Sequence, residues 1–124
     1  MWFPTIPGAL PHIKGGRMRA LAVAGVRRSP ALPDVPTVAE AASLAGFDAT
    51  TWYAVLTPAG TPNAIVTKLN TAFVRVLRSP DVQERLAAQG VESIGGTPGQ
   101  AAAHIRSELP KWAKLIKSAG IKPE

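Results

Sequence analysis

The sequence contains no cysteine, which excludes disulfide bonds, thiolate zinc sites and a cysteine nucleophile. It has only two histidines, His12 and His104, and their separation matches no zinc-binding or metalloprotease spacing. The acidic residues Asp34, Glu40 and Asp48 fall on separate predicted elements and form no acid pair for catalysis. We therefore expect no enzyme activity, no catalytic residue, no metal and no cofactor.

Long apolar runs are also missing, because no run approaches the ~20 residues needed to cross a bilayer. The first residues, MWFP, lack the basic start and apolar stretch of a secretion signal. The glycine pairs at 15–16 and 95–96 match no phosphate-binding loop. These absences predict a chain that remains cytoplasmic if it is translated as written and that has no glycine-rich nucleotide site.

Acidic residues are fewer than basic ones, 8 against 14, so the formal net charge is +6. Such an excess suits an anionic partner, whether nucleic acid, acidic lipid or a carboxylate. However, the lysines and arginines are scattered along the chain, without the interleaved aromatic residues that stack on bases. We interpret them as solvated surface charges and expect no nucleic-acid partner.

The 124 residues, 46% of them hydrophobic, are enough for a single globular domain. In the first half, Pro7 and Gly15 predict the two ends of a short helix over 7–16. A short apolar run within 17–25 predicts a strand buried on both faces. Three prolines over 30–36 then prevent regular structure until a T-x-x-E capping box, which opens a helix over 37–44.

In the second half, three Ser-Pro or Thr-Pro pairs predict helix starts, with the hydroxyl residues at 61, 79 and 97 as N-caps. Before the first lies a Thr-, Trp- and Val-rich stretch over 47–57, which predicts a strand in which Trp52 and Tyr53 pack the sheet. A brief strand is expected over 91–94, and Pro110 predicts a kink or break in the last helix. Alternation of strands and helices predicts an α/β fold with a mainly parallel sheet and flanking helices.

Five blocks in a fixed order carry a resemblance that extends over nearly the whole chain. The chain resembles the C-terminal portion of the Bug, or TctC-like, extracytoplasmic solute receptors of tripartite tricarboxylate transporters in the blocks ALPHIKGGRMRALAVAG, RRSPALPDVPTVAEA, GFDATTWYAVLTPAGTPNAIVTKLN, SPDVQERLAAQGVESIGGTPGQ and KWAKLIKSAGIKPE. The resemblance implies a partial periplasmic-binding-protein-like fold of type II, with two lobes around a ligand cleft. On this basis residues 1–25 end the second lobe, 26–36 form a Pro-rich crossing segment, and 37–124 form the C-terminal part of the first lobe.

The resemblance also implies a function, which is capture of a small carboxylate in the periplasm for the transporter's membrane subunits. In the family, the segment that starts this chain reaches the cleft with an acidic or amide pair, whereas this sequence has Pro4 and Thr5 there. Phe3 and Thr5 are the candidate ligand-binding residues. The alternative is a free-standing small α/β interaction module without ligand capture. If the surfaces that cover the last helix are absent, its apolar side chains Trp112, Leu115 and Ile116 predict self-association.

Overall fold

The computed structural model describes residues 2–121, and those residues contain five helices. These are α1 (Ile6–Lys14), α2 (Val38–Ala42), α3 (Asn63–Leu77), α4 (Pro80–Ala88) and α5 (Pro98–Ser118). The chain divides into two compact units. The first contains the residues up to Tyr53 together with Val76–Ile94, and the second contains Ala54–Arg75 together with the residues from Gly95 on.

The first unit contains the small core of the described chain. Helix α1 contributes Ala9 and Leu10, and the segment that follows contributes Val23. Two polar residues, Ser29 and Thr37, are buried beside them. The predicted helix over 7–16 is confirmed with its start and end shifted by one or two residues, which is the usual uncertainty of helix ends.

The predicted parallel sheet is not confirmed. Among residues 2–121 the structure shows a single parallel bridge, between Val23 and Thr37. The amide of Val23 donates to the carbonyl of Pro36 at 2.9 Å, and the amide of Val38 donates to the carbonyl of Val23 at 2.9 Å. A strand needs neighbours that continue such a ladder. The stretches 47–57 and 91–94, which we predicted as strands, form no such ladder.

The capping box of α2 is confirmed. The Thr37 hydroxyl accepts from the amide of Glu40 at 3.1 Å, while the Glu40 carboxylate accepts from the amide of Thr37 at 2.7 Å. Thr37 is only 3% exposed, so the box satisfies polar groups that water does not reach. Arg28 donates to the same carboxylate at 3.1 Å, which ties the Pro-rich segment to the helix start.

The Glu40 carboxylate predicts a dependence of stability on pH. The backbone hydrogen bond from Thr37, with a smaller contribution from Arg28, lowers the pKa of Glu40 below its ordinary value of 4.5. A pKa lowered by folding means that this stabilisation is complete above 4.5 and is lost as the pH falls through the folded-state pKa. We expect Glu40→Gln to lower the melting temperature at pH 7, and the difference from the unsubstituted chain to shrink in acid.

Thermal unfolding between pH 7 and acid checks this expectation. Glu84→Gln is the matched control, because Glu84 is an exposed carboxylate on α4 for which the described structure gives no hydrogen bond or ion pair. A Glu40→Gln deficit that stays constant as the pH falls would contradict the assigned role of the carboxylate.

The second unit has no fully buried residue in its described part and is built from α5 and most of α3. Asn70 on α3 donates through Nδ2 to the carbonyl of Gly96 at 2.9 Å, just before α5 begins. The predicted helix start at Thr97 is confirmed, and the structure adds a capping box there, in which the Thr97 hydroxyl accepts from the amide of Gln100 at 3.2 Å. Of the kink or break predicted at Pro110, the break is wrong, because α5 continues through this residue to Ser118.

Two of the three predicted hydroxyl caps do not form. The Thr61 hydroxyl donates to the carbonyl of Pro58 at 2.8 Å, and α3 begins two residues later, at Asn63. Ser79 is the N-cap residue of α4, but its hydroxyl donates back to the carbonyl of Val76 at 2.6 Å. In both cases a backbone carbonyl in the preceding turn competes for the hydroxyl, which is a known alternative for Ser and Thr.

Candidate functional site

The predicted ligand residues lie on the surface at the start of α1. Phe3 is 77% exposed, and Thr5 is the N-cap residue of the helix. The Thr5 hydroxyl makes no capping hydrogen bond, and the first turn contains no acidic residue. An N-terminal helical turn without an acidic partner favours a negative charge nearby, because its first amides lack intrahelical acceptors. This end of α1 can therefore receive a carboxylate.

The start of α1 is held against the turn that follows α4. The side chain of Ile6 lies so close to Gly90 that a Cβ atom at position 90 would come within 2.4 Å of Ile6 Cγ2 and 3.5 Å of Ala31 Cβ. Gly90 also has a φ of +75°, which L side chains rarely adopt. Glycine at this position thus allows both the turn and the close approach of α1.

A cavity of about 340 Å³ lies beside the same turn. Its wall is formed by Ser29, Pro30 and Ala31, by Gln83 and Ala87 of α4, and by residues 90–93. Small-molecule pockets commonly have volumes of about 300–1,000 Å³, so the cavity is large enough for a small ligand. This cavity was not predicted from the sequence. The only sequence feature that points to it is the Pro-rich segment 26–36 together with Gly90, the glycine that follows α4.

The polar side chains that line the cavity are two serine hydroxyls, the Gln83 amide and the Glu92 carboxylate. Ser29 is buried, and its Oγ accepts from the amide of Ala31 at 3.3 Å. The Ser93 hydroxyl donates to the carbonyl of Leu77 at 3.2 Å, and Arg27 pairs with Glu92 at the rim. This arrangement can hold a polar molecule by hydrogen bonds, but it contains no pairing of a nucleophile with a base.

The described residues also contain no metal-binding cluster and no membrane-spanning helix. Between residues 2 and 121 no three His, Cys, Asp or Glu side chains stand close enough to hold a metal ion. No helix in that same range combines the length and apolarity needed to span a bilayer. The structure places Phe3 and Thr5 at one end of α1, and it leaves His12 at the other end of the same helix, in the last turn.

Comparison with known proteins decides the family. The family model described as tripartite tricarboxylate transporter family receptor, TctC, matches residues 2–121. The chain belongs to this receptor family. The match contains the first four blocks on which the resemblance was based and the fifth up to Ile121, so the family assignment from sequence is confirmed.

Three similar proteins illustrate the relationship of this chain to the TctC family. The protein BugT of Bordetella pertussis is 38% identical over 118 residues, which are 95% of this chain and 36% of BugT. The Rhodopseudomonas palustris protein Rpa4515, solved with adipate, is 38% identical, has a TM-score of 0.84, and aligns with 96% of this chain and 40% of its own. MatC of R. palustris, solved with bound malate, is 35% identical, has a TM-score of 0.75, and aligns with 90% of this chain and 38% of its own.

The structural likeness confirms the coarse fold assignment. The neighbours of this TctC-family chain include a periplasmic binding protein, so the partial periplasmic-binding-protein-like fold is correct, although its parallel sheet is not confirmed. The chain spans about a third of the length of most of the curated relatives that it matches. The activity, substrates and partners of a whole receptor are therefore proposals for this chain.

Proposed function

We propose that this chain is the C-terminal part of an extracytoplasmic solute-binding receptor that captures a small carboxylate and catalyses no reaction. The observation that carries the proposal is the family match over residues 2–121, joined to neighbours that were solved with adipate and malate. Both molecules are dicarboxylates, so the proposed ligand class is small organic diacids. The net charge of +6 is consistent with attraction of such anions.

The proposed arrangement follows the lobes of a two-lobed receptor. Residues 1–25 would end the second lobe, 26–36 would form the crossing segment, and 37–124 would complete the first lobe. Phe3 and Thr5 would then border the cleft at the start of α1. Support comes from the exposed Phe3 ring, the Thr5 hydroxyl without a capping bond, and the first-turn amides of α1, which together offer an apolar contact and hydrogen-bond donors.

The proposed compartment and partners are those of the family. A receptor of this class would work in the periplasm and deliver its carboxylate to the membrane subunits of a tripartite tricarboxylate transporter. The alternative of a free-standing interaction module is not favoured, because the family match extends over almost the entire chain and the similar structures were solved with carboxylates.

A chimera tests the proposal. Residues 2–121 would replace the matched portion of Rpa4515, and calorimetry would measure binding of adipate, malate and other diacids. We expect saturable one-to-one binding of at least one diacid. Thr5→Ala should weaken that binding by about ten- to a hundredfold, since one hydrogen bond to a charged group contributes about 1.5–3 kcal/mol.

Thr67→Ala is the control, because Thr67 is an exposed threonine on α3 whose side chain makes no hydrogen bond within residues 2–121 and lies outside the proposed cleft. It should leave binding unchanged. A chimera that unfolds cooperatively yet binds none of the diacids would refute the proposed function. Equal effects of the two threonine substitutions would refute the role of Thr5.

A further inference from the structure

The positive charge of this chain is concentrated in its second unit. That unit, which contains Ala54–Arg75 and the residues from Gly95 on, has seven lysines and arginines but two acidic residues, a net charge of +5. The first unit has seven basic and six acidic residues, a net charge of +1. An asymmetry of this size between two parts of a chain indicates an anionic partner for the more basic part.

Helix α5 places part of this charge on one side. At roughly 100° per residue, Arg106, Lys114 and Lys117 fall within an arc of about 80°, and they extend over about 16 Å of the helix axis. All three side chains are exposed, and we call them the α5 basic face. The other residues in this arc are small or compact, namely Gly99, Ala103 and Pro110. A flat surface can therefore approach the three charged groups together.

The acidic residue of α5 is turned away from the α5 basic face. Glu108 is displaced by about 160° from the centre of the face at about 100° per residue. Its carboxylate accepts from Trp112 Nε1 at 2.7 Å and from Lys111 Nζ at 3.1 Å. Within residues 2–121 the structure gives the three side chains of the α5 basic face no hydrogen bond or ion pair. Their charge is thus available to an external anion.

The apolar side of α5 lies elsewhere on the helix. Ile105, Trp112 and Ile116 are centred about 140° from the middle of the α5 basic face. A polypeptide that packs on the apolar side therefore leaves the basic face in solvent. The charge of this face does not depend on whether the apolar side is covered.

The residue types of the α5 basic face favour a membrane surface among anionic partners. The face has no aromatic side chain on which a base could stack, which disfavours single-stranded nucleic acid. Two of its three cations are lysines, which act as point charges and lack the planar fork with which arginine binds a carboxylate of an acidic protein. Point charges in a row, above small residues, match an anionic bilayer, whose charge is spread over a plane.

We propose that the α5 basic face docks the second unit on the surface of an anionic lipid bilayer, without insertion into it. Each lysine or arginine near such a surface strengthens binding about fivefold, so three strengthen it about a hundredfold. The attraction declines beyond a Debye length, about 10 Å at 0.1 M salt. This partner lies beyond the proposed function, because docking requires no diacid.

Cosedimentation with lipid vesicles, measured against a vesicle-free control, tests the proposal. In about 10 mM salt, where the Debye length is about 30 Å, we expect the chain to bind vesicles of equal parts phosphatidylglycerol and phosphatidylcholine. Binding to pure phosphatidylcholine vesicles should be at least about tenfold weaker, and about 0.5 M salt should abolish the difference between the two vesicles.

Paired substitutions locate the docking surface. Lys114→Gln combined with Lys117→Gln should weaken binding to the phosphatidylglycerol vesicles about twentyfold, since two charges of the α5 basic face are lost. Arg17→Gln combined with Arg19→Gln is the matched control. It changes the net charge equally, but in the first unit, where both arginines are exposed and have no ion pair among residues 2–121. The control should weaken binding by less than about threefold.

A label measures which side of the chain meets the lipid. Because the sequence has no cysteine, Ala103→Cys in the α5 basic face and Ala41→Cys on α2, both at exposed positions, each accept a single fluorophore. Vesicles with a quencher on the lipid headgroup should quench the label at 103 at least about threefold more than the label at 41, because docking brings residue 103 within about 10 Å of the headgroups.

Four results would overturn the proposal. These are equal binding to both kinds of vesicle in low salt, equal effects of the two double substitutions, equal quenching of the two labels, and binding to polyglutamate without binding to vesicles. The last would assign the α5 basic face to an acidic protein instead. Since no diacid is present in these measurements, failure here is distinct from failure of the proposed function.

Discussion

Gly90→Ala is expected to destabilise the chain by about 2–5 kcal/mol, the largest loss among the substitutions considered. A side chain in the left-handed region costs roughly 1–2 kcal/mol, and Gly90 has a φ of +75°. The added methyl group would also stand 2.4 Å from Ile6 Cγ2. Forcing an extra carbon into a packed contact costs about 1–3 kcal/mol more. Urea unfolding monitored by circular dichroism measures the sum.

Gly46→Ala separates the two contributions. Gly46 has a similar φ of +77°, but a Cβ atom there would meet no atom within 4 Å. Its substitution should therefore cost only the backbone part, about 1–2 kcal/mol. Ile6→Ala combined with Gly90→Ala should recover part of the steric loss, because the methyl group at 90 then has room. Equal costs at positions 46 and 90 would show that α1 does not press on the turn after α4.

Because the start of α1 carries Phe3 and Thr5, the result at position 90 also concerns the proposed site. If Gly90→Ala displaces α1, the chimera with Rpa4515 should lose diacid affinity along with stability. Gly46→Ala should leave that affinity intact, since residue 46 has no such contact with α1. The pair thus tests whether the turn after α4 positions the candidate ligand residues.

Pro110→Ala is expected to stabilise the chain by about 2 kcal/mol. Inside a helix, proline removes one backbone hydrogen bond and clashes with the preceding turn, at about 3 kcal/mol, and α5 continues through Pro110 despite this cost. Alanine should remove this penalty of about 3 kcal/mol. About 0.4–1 kcal/mol of the gain is lost again because the unfolded chain becomes more flexible. The midpoint of urea unfolding and the helical signal in circular dichroism should both rise.

Pro98→Ala is the matched control, because Pro98 occupies the first turn of the same helix. There the missing amide is one that the helix would leave unpaired, so proline carries no penalty. This substitution should lower stability slightly, by no more than about 1 kcal/mol, through the unfolded state alone. Stabilisation of similar size by both substitutions would refute the helix-interior explanation for Pro110.

The continuity of α5 through Pro110 also shows where local rules reach their limit. The proline penalty predicted a kink or break, yet α5 is continuous, and neighbouring side-chain contacts support the turn at Pro110. The Glu108 carboxylate accepts from Trp112 Nε1 at 2.7 Å and from Lys111 Nζ at 3.1 Å. Side-chain bonds at this spacing support a helix from outside its backbone ladder. The hydrogen bond from Trp112, with a smaller contribution from Lys111, lowers the pKa of Glu108.

The sequence predicted well the two helix starts at which a capping box forms. The capping boxes of Thr37 and Thr97 form because each needs only its own hydroxyl and the Glu or Gln three residues later. Thr61 and Ser79 start helices as predicted in position, but their hydroxyls bond to a preceding carbonyl instead. The candidate cavity could not be predicted, since it joins residues 29–31 to 90–93, which are distant in the chain.

By itself, the sequence determined the family, the positions of the helices and the absence of cysteine chemistry, because ordered motifs, caps and composition are properties of neighbouring residues. Only the tertiary structure decided that the expected sheet is reduced to one bridge among residues 2–121, that Gly90 receives Ile6, and that α3 and segment 54–57 keep uncovered apolar surface. The physical reason is that pairing and burial depend on contacts between distant segments. An apolar pattern predicts which side chains avoid water, but the partner that covers them is set by the fold.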